Sequence, residues 1–125
     1  MSDEKRPTGI EAVLIRSGRP AELAEFYRSG LDLPDPTPQG DEHVGIRAPG
    51  GYLGFDLAPG AEPGPGRTGV WFGVADARAT FDRLLELGGT PEEAPFKGGG
   101  EILATVRDPE GNLIGLIEQV NHRPT

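Results

Sequence analysis

Residues 104–114 read ATVRDPEGNLI, and this stretch predicts a β-hairpin. In its centre, the Asp-Pro pair favours the opening of a turn, and the Gly-Asn pair can adopt the positive φ angle that closes it. The flanking segments, near Ile102–Arg107 and Leu113–Glu118, have the apolar composition of strands. The end of the chain is therefore expected to be two antiparallel strands joined by a tight turn.

The first half of the chain predicts a strand, a helix and three further strands. Ile10–Ile15 is rich in β-forming residues, and Pro20 suits the first turn of a helix. Apolar residues then follow at the i, i+3, i+4 spacing of one helical face, and Gly30 is the candidate helix end. Three short strands are expected near Leu31–Leu33, His43–Arg47 and Tyr52–Leu57.

The second half repeats this order. Residues 58–68, APGAEPGPGRT, are too rich in Pro and Gly for regular structure and predict a linker. The closing hairpin is then preceded by three expected elements: a strand at Val70–Val74, a helix ending at Gly88 and a strand near Thr90–Glu93. Leu23, Phe26, Tyr27 and Gly30 correspond to Phe81, Leu84, Leu85 and Gly88 at an offset of 58 residues.

This repetition predicts an internal duplication within a single domain spanning residues 1–125. The first module covers about residues 8–57, the linker about 58–68 and the second module about 69–119. The length suits one domain with one core.

The amino-acid composition and net charge exclude several kinds of site and partner. The chain has no Cys, which excludes disulfides and thiolate metal sites, and it has no long apolar run. Its charged start, MSDEKRP, differs from a secretory signal, so a cytoplasmic protein is expected. The net charge of −8 makes nucleic acid and anionic membranes poor partners.

Two stretches resemble one known superfamily. Residues 23–33, LAEFYRSGLDL, resemble the first-helix motif A-x-F-Y-x-x-x-L-G-L of the glyoxalase/bleomycin-resistance/dioxygenase (vicinal oxygen chelate) superfamily, and residues 104–114 resemble its closing D-P-x-G-N hairpin. The resemblance covers roughly residues 10–118. It implies an α+β fold in which two βαβββ modules form one cupped mixed sheet around a ligand cavity, with helices on the convex face. It also implies a homodimer.

The metalloenzymes of this superfamily bind a divalent cation through four inward-facing side chains. The matching positions here are Ala12 (or Glu11 with a one-residue shift), Gly54, Gly69 and Gly115. Ala and Gly supply no side-chain ligand, so neither a metal nor another cofactor is expected. Small residues there would instead enlarge the cavity.

Strand alternation gives candidates for the cavity lining. If Val70, Phe72 and Val74 pack under the helices, Trp71 faces the cup, where it could stack on an aromatic or cationic ligand. A core position for Trp71 is the alternative. The same alternation points four polar or amphipathic side chains inward, each of which could instead be a solvated edge residue: His43, Arg47, Tyr52 and Asp56.

Three kinds of function fit this sequence. The first is a metal-independent small-molecule binder, of the type that sequesters a drug or metabolite and confers antibiotic resistance, with no catalytic residue. The second is an enzyme of the lyase, isomerase or dioxygenase type. It would use a displaced metal site at Glu11, His43 and Glu118, or metal-free acid/base chemistry at His43 with Asp56 as its orienting partner. The third is a partner-binding module.

Overall fold

The computed structural model describes residues 12–64 and 69–120. No helix among these residues is long and apolar enough to cross a membrane. The described part of the chain contains ten elements in two matching sets of five: β1 (Ala12–Ser17), α1 (Pro20–Leu31), β2 (Thr37–Gln39), β3 (His43–Ala48), β4 (Gly51–Leu57), β5 (Gly69–Gly73), α2 (Ala77–Glu86), β6 (Thr90–Gly98), β7 (Glu101–Arg107) and β8 (Leu113–Gln119).

The two halves have the same sheet topology. The first sheet has the strand order β1-β4-β3-β2 and the second the order β5-β8-β7-β6. In each, the first strand pairs in parallel with the last, and the other pairs are antiparallel. The α+β class and the two βαβββ modules are therefore confirmed. The hydrogen-bonded strands form two four-stranded mixed sheets, with β1 and β5 each at an edge.

One face of each sheet is covered by a helix. On β3 and β4 the helix-facing side chains are almost fully buried, among them Ile46 and Phe55. Tyr27 of α1 joins the two halves, because the centre of its ring lies 5.2 Å from the ring centre of Phe55 and 6.3 Å from that of Phe72 on β5. The core is therefore shared by both modules.

A buried hydrogen bond links the two motifs that carry the family resemblance. The Tyr27 hydroxyl donates to Asp108 Oδ2 at 2.7 Å, and Asp108 is 2% exposed. The other carboxylate oxygen, Oδ1, accepts the backbone N–H groups of Glu110 and Asn112, which shapes the turn between β7 and β8. Burial, together with the neighbouring Asp108 carboxylate, raises the pKa of Tyr27 far above its ordinary value.

Two local predictions in the first half were wrong. Leu31–Leu33 is not a strand: Leu31 ends α1, Asp32 follows with a φ of 54°, and the strand of this region is Thr37–Gln39. Gly30 does not end the helix either. It lies inside the last turn, where a Cβ atom would overlap the side chain of Leu84 on α2. This glycine allows the two helices to approach closely.

Candidate functional site

The uncovered face of the first sheet carries four of the five side chains proposed as a ligand site. The strand register places them in a small grid with two glycines at its centre: His43 is opposite Asp56, Gly45 opposite Gly54, and Arg47 opposite Tyr52. The alternate residues of β3 and β4 point to the helix and are buried. The sheet therefore holds His43, Arg47, Tyr52 and Asp56 on its open side.

Three of these side chains form a continuous hydrogen-bonded line. Asp56 Oδ1 lies 2.5 Å from His43 Nδ1, and His43 Nε2 lies 2.5 Å from the Tyr52 hydroxyl. The imidazole and phenol rings are nearly parallel, with an angle of 9° between their planes. The Arg47 guanidinium lies over the Tyr52 ring, 5.2 Å from its centre, in a cation–π arrangement. The four residues thus form one chain of contacts in the order Asp56, His43, Tyr52, Arg47.

The two glycines form the floor beneath this line. A Cβ atom at Gly45 would overlap the Tyr52 hydroxyl, and one at Gly54 would lie 2.8 Å from His43 Cε1 and 2.6 Å from Leu14 Cδ2. Gly45 and Gly54 lie on the face that strand alternation predicts for them, whereas Leu14 was not predicted as part of this site. Glycines at alternate positions of neighbouring strands were the available signal for this floor, because each removes a side chain from the same face.

Trp71 lies on the uncovered face of the second sheet. It is 47% exposed, whereas its neighbour Phe72 is partly buried against the core. Its indole ring lies across Gly115 on β8, where a Cβ atom would overlap the ring. A Cβ at the adjacent Gly73 would meet nothing within 4 Å. Trp71 is thus not a core residue, and it leaves part of its surface open to solvent.

One concavity reaches both Trp71 and Tyr52. It has a volume of about 290 Å³ and lies between β1, β5 and the turn that joins β3 to β4. His43, Arg47 and Asp56 do not line it, so the structure connects Trp71 to the polar line only through Tyr52. The lining residues are Ala12, Val13, Ala48, Pro49, Gly50, Gly51, Tyr52, Leu53, Val70, Trp71 and Phe72.

The four positions that correspond to the metal ligands of the superfamily do not fit a metal ion. They hold Ala12, Gly54, Gly69 and Gly115, which have no side-chain donor. Other side chains fill the space next to the three glycines, including Leu113 beside Gly69 and Trp71 over Gly115. Within residues 12–64 and 69–120, no group of three or more His, Asp or Glu side chains converges as a metal site would require.

Two members of the displaced metal site expected at Glu11, His43 and Glu118 have other partners: His43 bonds to Asp56 and Tyr52, and Glu118 bonds to Ala77. Glu118 Oε1 accepts the backbone N–H of Ala77 at 2.8 Å, at the start of α2 on the helix-covered side, whereas His43 lies on the open face. Glu11 lies outside the described residues. The carboxylate of Glu118 therefore helps to begin a helix.

A larger groove of about 590 Å³ lies on the helix side, between α1, the linker and the β7–β8 turn. None of the five proposed site residues lines it. Arg28 and Ser29 hydrogen-bond to Glu25 at its edge and lower the pKa of that carboxyl to about 2. Glu25 therefore stays ionised at neutral pH, and this groove is distinct from the open sheet faces.

The fold and the open faces define a protein of the glyoxalase/bleomycin-resistance/dioxygenase class. A family model described as a glyoxalase-like domain matches residues 12–117. The chain belongs to this family of glyoxalase-like domains. No curated protein matches it at a significant level.

Solved structures show the same fold at low identity. A glyoxalase-related enzyme from Fulvimarina pelagi is 17% identical, with a TM-score of 0.75 over 90% of this chain and 89% of that one. A glyoxalase/bleomycin resistance protein from Albidiferax ferrireducens T118 is 22% identical, with a TM-score of 0.73 over 92% and 98%. The bleomycin resistance determinant encoded on transposon Tn5 is 21% identical, with a TM-score of 0.65 over 90% and 98%.

Proposed function

We propose that this chain binds a small, planar organic molecule without a metal ion, and that Trp71 and Tyr52 contact it. The observation that carries the proposal is the half-exposed indole of Trp71, which lies flat on Gly115 and shares a concavity with Tyr52. An aromatic ring held on one side and open on the other is suited to stacking on a flat or cationic ligand. Sequestration of a drug or metabolite is the corresponding role.

The remaining polar residues would fix the orientation of the ligand. Small-molecule sites combine apolar walls with a few placed polar groups. Here the apolar part is provided by Trp71 and its neighbours in the concavity, and the polar part by Tyr52, whose hydroxyl bonds to His43 and whose ring contacts Arg47. The relationship to a bleomycin resistance determinant supports the choice of large, planar, cationic compounds as first candidates.

A homodimer is part of the same proposal. Three large apolar side chains are exposed on the uncovered sheet faces: Leu14 at 57%, Trp71 at 47% and Phe96 at 39%. A second copy lying over these faces would shield them and close the cavity. Light scattering should then give twice the chain mass of 13.2 kDa, and a monomer mass at micromolar concentration would refute the dimer. The cytoplasmic location remains a prediction, to be tested by cell fractionation.

Binding can be tested through the single Trp of the chain. Bleomycin and a panel of planar aromatic cations should be titrated while Trp71 emission is followed, and calorimetry should repeat each titration that gives a response. We expect Trp71→Ala to weaken binding by a factor of about ten, as loss of one stacked contact implies. Leu87→Ala is the matched control, because Leu87 is 43% exposed but lines the helix-side groove. Equal affinities for the two variants would contradict the proposal.

A further inference from the structure

The line from Asp56 through His43 to Tyr52 has a defined direction. An ionised carboxylate only accepts hydrogen bonds, so Asp56 requires His43 to carry its proton on Nδ1. An imidazole with its single proton on Nδ1 has a free lone pair on Nε2, which can accept the Tyr52 hydroxyl at 2.5 Å. The order is thus carboxylate, imidazole, hydroxyl, in which the middle group can accept the proton of the last.

The surroundings of this line favour proton transfer at Tyr52. His43 and Asp56 have side-chain exposures of 21% and 37%, so the line is partly shielded but still open on one side. Among the described strand residues, Asp56, Arg47 and Arg16 carry charge on this face, and Arg16 is the register partner of Asp56 between β1 and β4. The Arg47 guanidinium over the Tyr52 ring would stabilise negative charge that develops nearby.

We propose that Asp56, His43 and Tyr52 form a metal-free proton-transfer site, in which the Tyr52 oxygen is the general base for a neutral, planar carbon acid. This activity rests on the proposed ligand site for the position of the substrate. The Tyr52 oxygen takes a proton from a weakly acidic C–H bond while its own proton passes to His43 Nε2. The C–H electron pair stays on the substrate, as an enolate-type anion or as a new π bond with loss of a leaving group. His43 then returns its extra proton to solvent.

Tyr52 is the only one of the three that touches the substrate in this scheme. His43 accepts the hydroxyl proton, and Asp56 is a positioning residue that fixes the tautomer of the imidazole. An amide in place of Asp56 would donate to Nδ1, move the imidazole proton to Nε2 and remove the acceptor that Tyr52 needs. Asp56→Glu keeps a carboxylate and should restore part of the rate, which a purely structural role would not predict.

The probe for this activity is 5-nitrobenzisoxazole, a flat, neutral carbon acid. Removal of its single reactive proton forms a nitrile and breaks the ring N–O bond, which releases a coloured nitrophenolate and needs no oxidant or metal. We expect the full chain to accelerate this reaction over buffer. Tyr52→Phe, His43→Gln and Asp56→Asn should each lower kcat/KM at least tenfold, within the range of general-base effects. His122→Gln is the control, because His122 is the only other His of the chain.

Each variant is checked by thermal unfolding, and Trp71 emission is recorded with the same probe. Loss of rate in Tyr52→Phe but not in His122→Gln supports the proton-transfer site, whether or not the emission changes. A change in emission with equal rates in the full chain and Tyr52→Phe shows binding without this chemistry and overturns the proposal. A rate no higher than that of buffer also overturns it, and an unchanged emission then counts against the ligand site as well.

Discussion

Replacing Tyr27 with Phe removes one hydroxyl group from the buried contact between the two modules and leaves the packed ring in place. Asp108 accepts four hydrogen bonds from residues that the structure describes, and this change deletes the one that comes from α1. The carboxylate is 2% exposed, so water cannot readily replace the lost donor. A hydrogen bond to a charged group contributes about 1.5–3 kcal/mol. We therefore expect the free energy of unfolding to fall by about 2 kcal/mol.

Urea unfolding measures this effect. With a urea dependence of about 1–3 kcal/mol per molar for a small protein, the midpoint should fall by about 1 M. Tyr52→Phe is the matched control, since Tyr52 is the only other Tyr and its hydroxyl bond lies on the open face. That control should lose less than about 1 kcal/mol. If the free energy of unfolding fell no more in Tyr27→Phe than in Tyr52→Phe, the buried hydrogen bond would not be a main connection between the modules.

The same hydroxyl predicts how stability changes at alkaline pH. Burial and the Asp108 carboxylate raise the pKa of Tyr27 above its ordinary value of 10.0, so the unfolded chain releases this proton first. The contribution of neutral Tyr27 is therefore complete below about pH 10 and is lost as the pH rises further. Its slope approaches about 1.4 kcal/mol per pH unit. Tyr27→Phe should lack this component of the slope, and Tyr52→Phe should keep it.

Three further changes test other parts of the structure. Phe72→Ala should lower the free energy of unfolding by about 2–3 kcal/mol in the urea assay, less than the loss typical of a fully buried Phe, because Phe72 is only partly buried. Trp71→Ala should lower it by less than about 1 kcal/mol in the same assay, because Trp71 is exposed. Gly115→Glu should displace the Trp71 indole, shift its emission to the red and cost about 1–3 kcal/mol; an unchanged emission spectrum would contradict the stacked position. Asp76→Ala should cost about 1 kcal/mol by thermal unfolding, because its side chain caps α2 through the N–H of Ala79.

The fold could be predicted from the sequence because the helix motif of residues 23–33 and the turn motif of residues 108–112 can each be recognised from a short stretch of residues. The turn of residues 108–112 is shaped by Asp108, which also accepts the hydroxyl of Tyr27 from the helix motif. Each motif can be recognised separately, yet in the structure they are two sides of one buried contact. The helix-facing residues of β3 and β4 were predictable for a similar reason, since alternation along a strand follows from backbone geometry alone.

The errors lie where tertiary packing decides the outcome. A glycine at position 30 suggested a helix end, but Gly30 lies inside α1, where its missing side chain leaves room for Leu84 of the other helix. Helix α1 consequently includes Leu31, and β2 begins only at Thr37. Neither effect can be read from residues 20–39 alone, because the deciding atom belongs to the second module.

At the candidate site too, the sequence pattern predicted which face of the strand each residue occupies, but not the contacts between the side chains. Alternation gave the correct face for His43, Tyr52 and Asp56, but their hydrogen bonds depend on rings that lie flat over Gly45 and Gly54. These small residues therefore have a second consequence besides the loss of a ligand. A Cβ atom at Gly54 would overlap the side chains of Leu14 and His43, just as one at Gly115 would overlap Trp71. The absent metal ligands and the aromatic surfaces are thus mutually dependent. A ligand restored at either position would have to displace the side chains that now lie against the glycine, as expected for Gly115→Glu and the Trp71 indole.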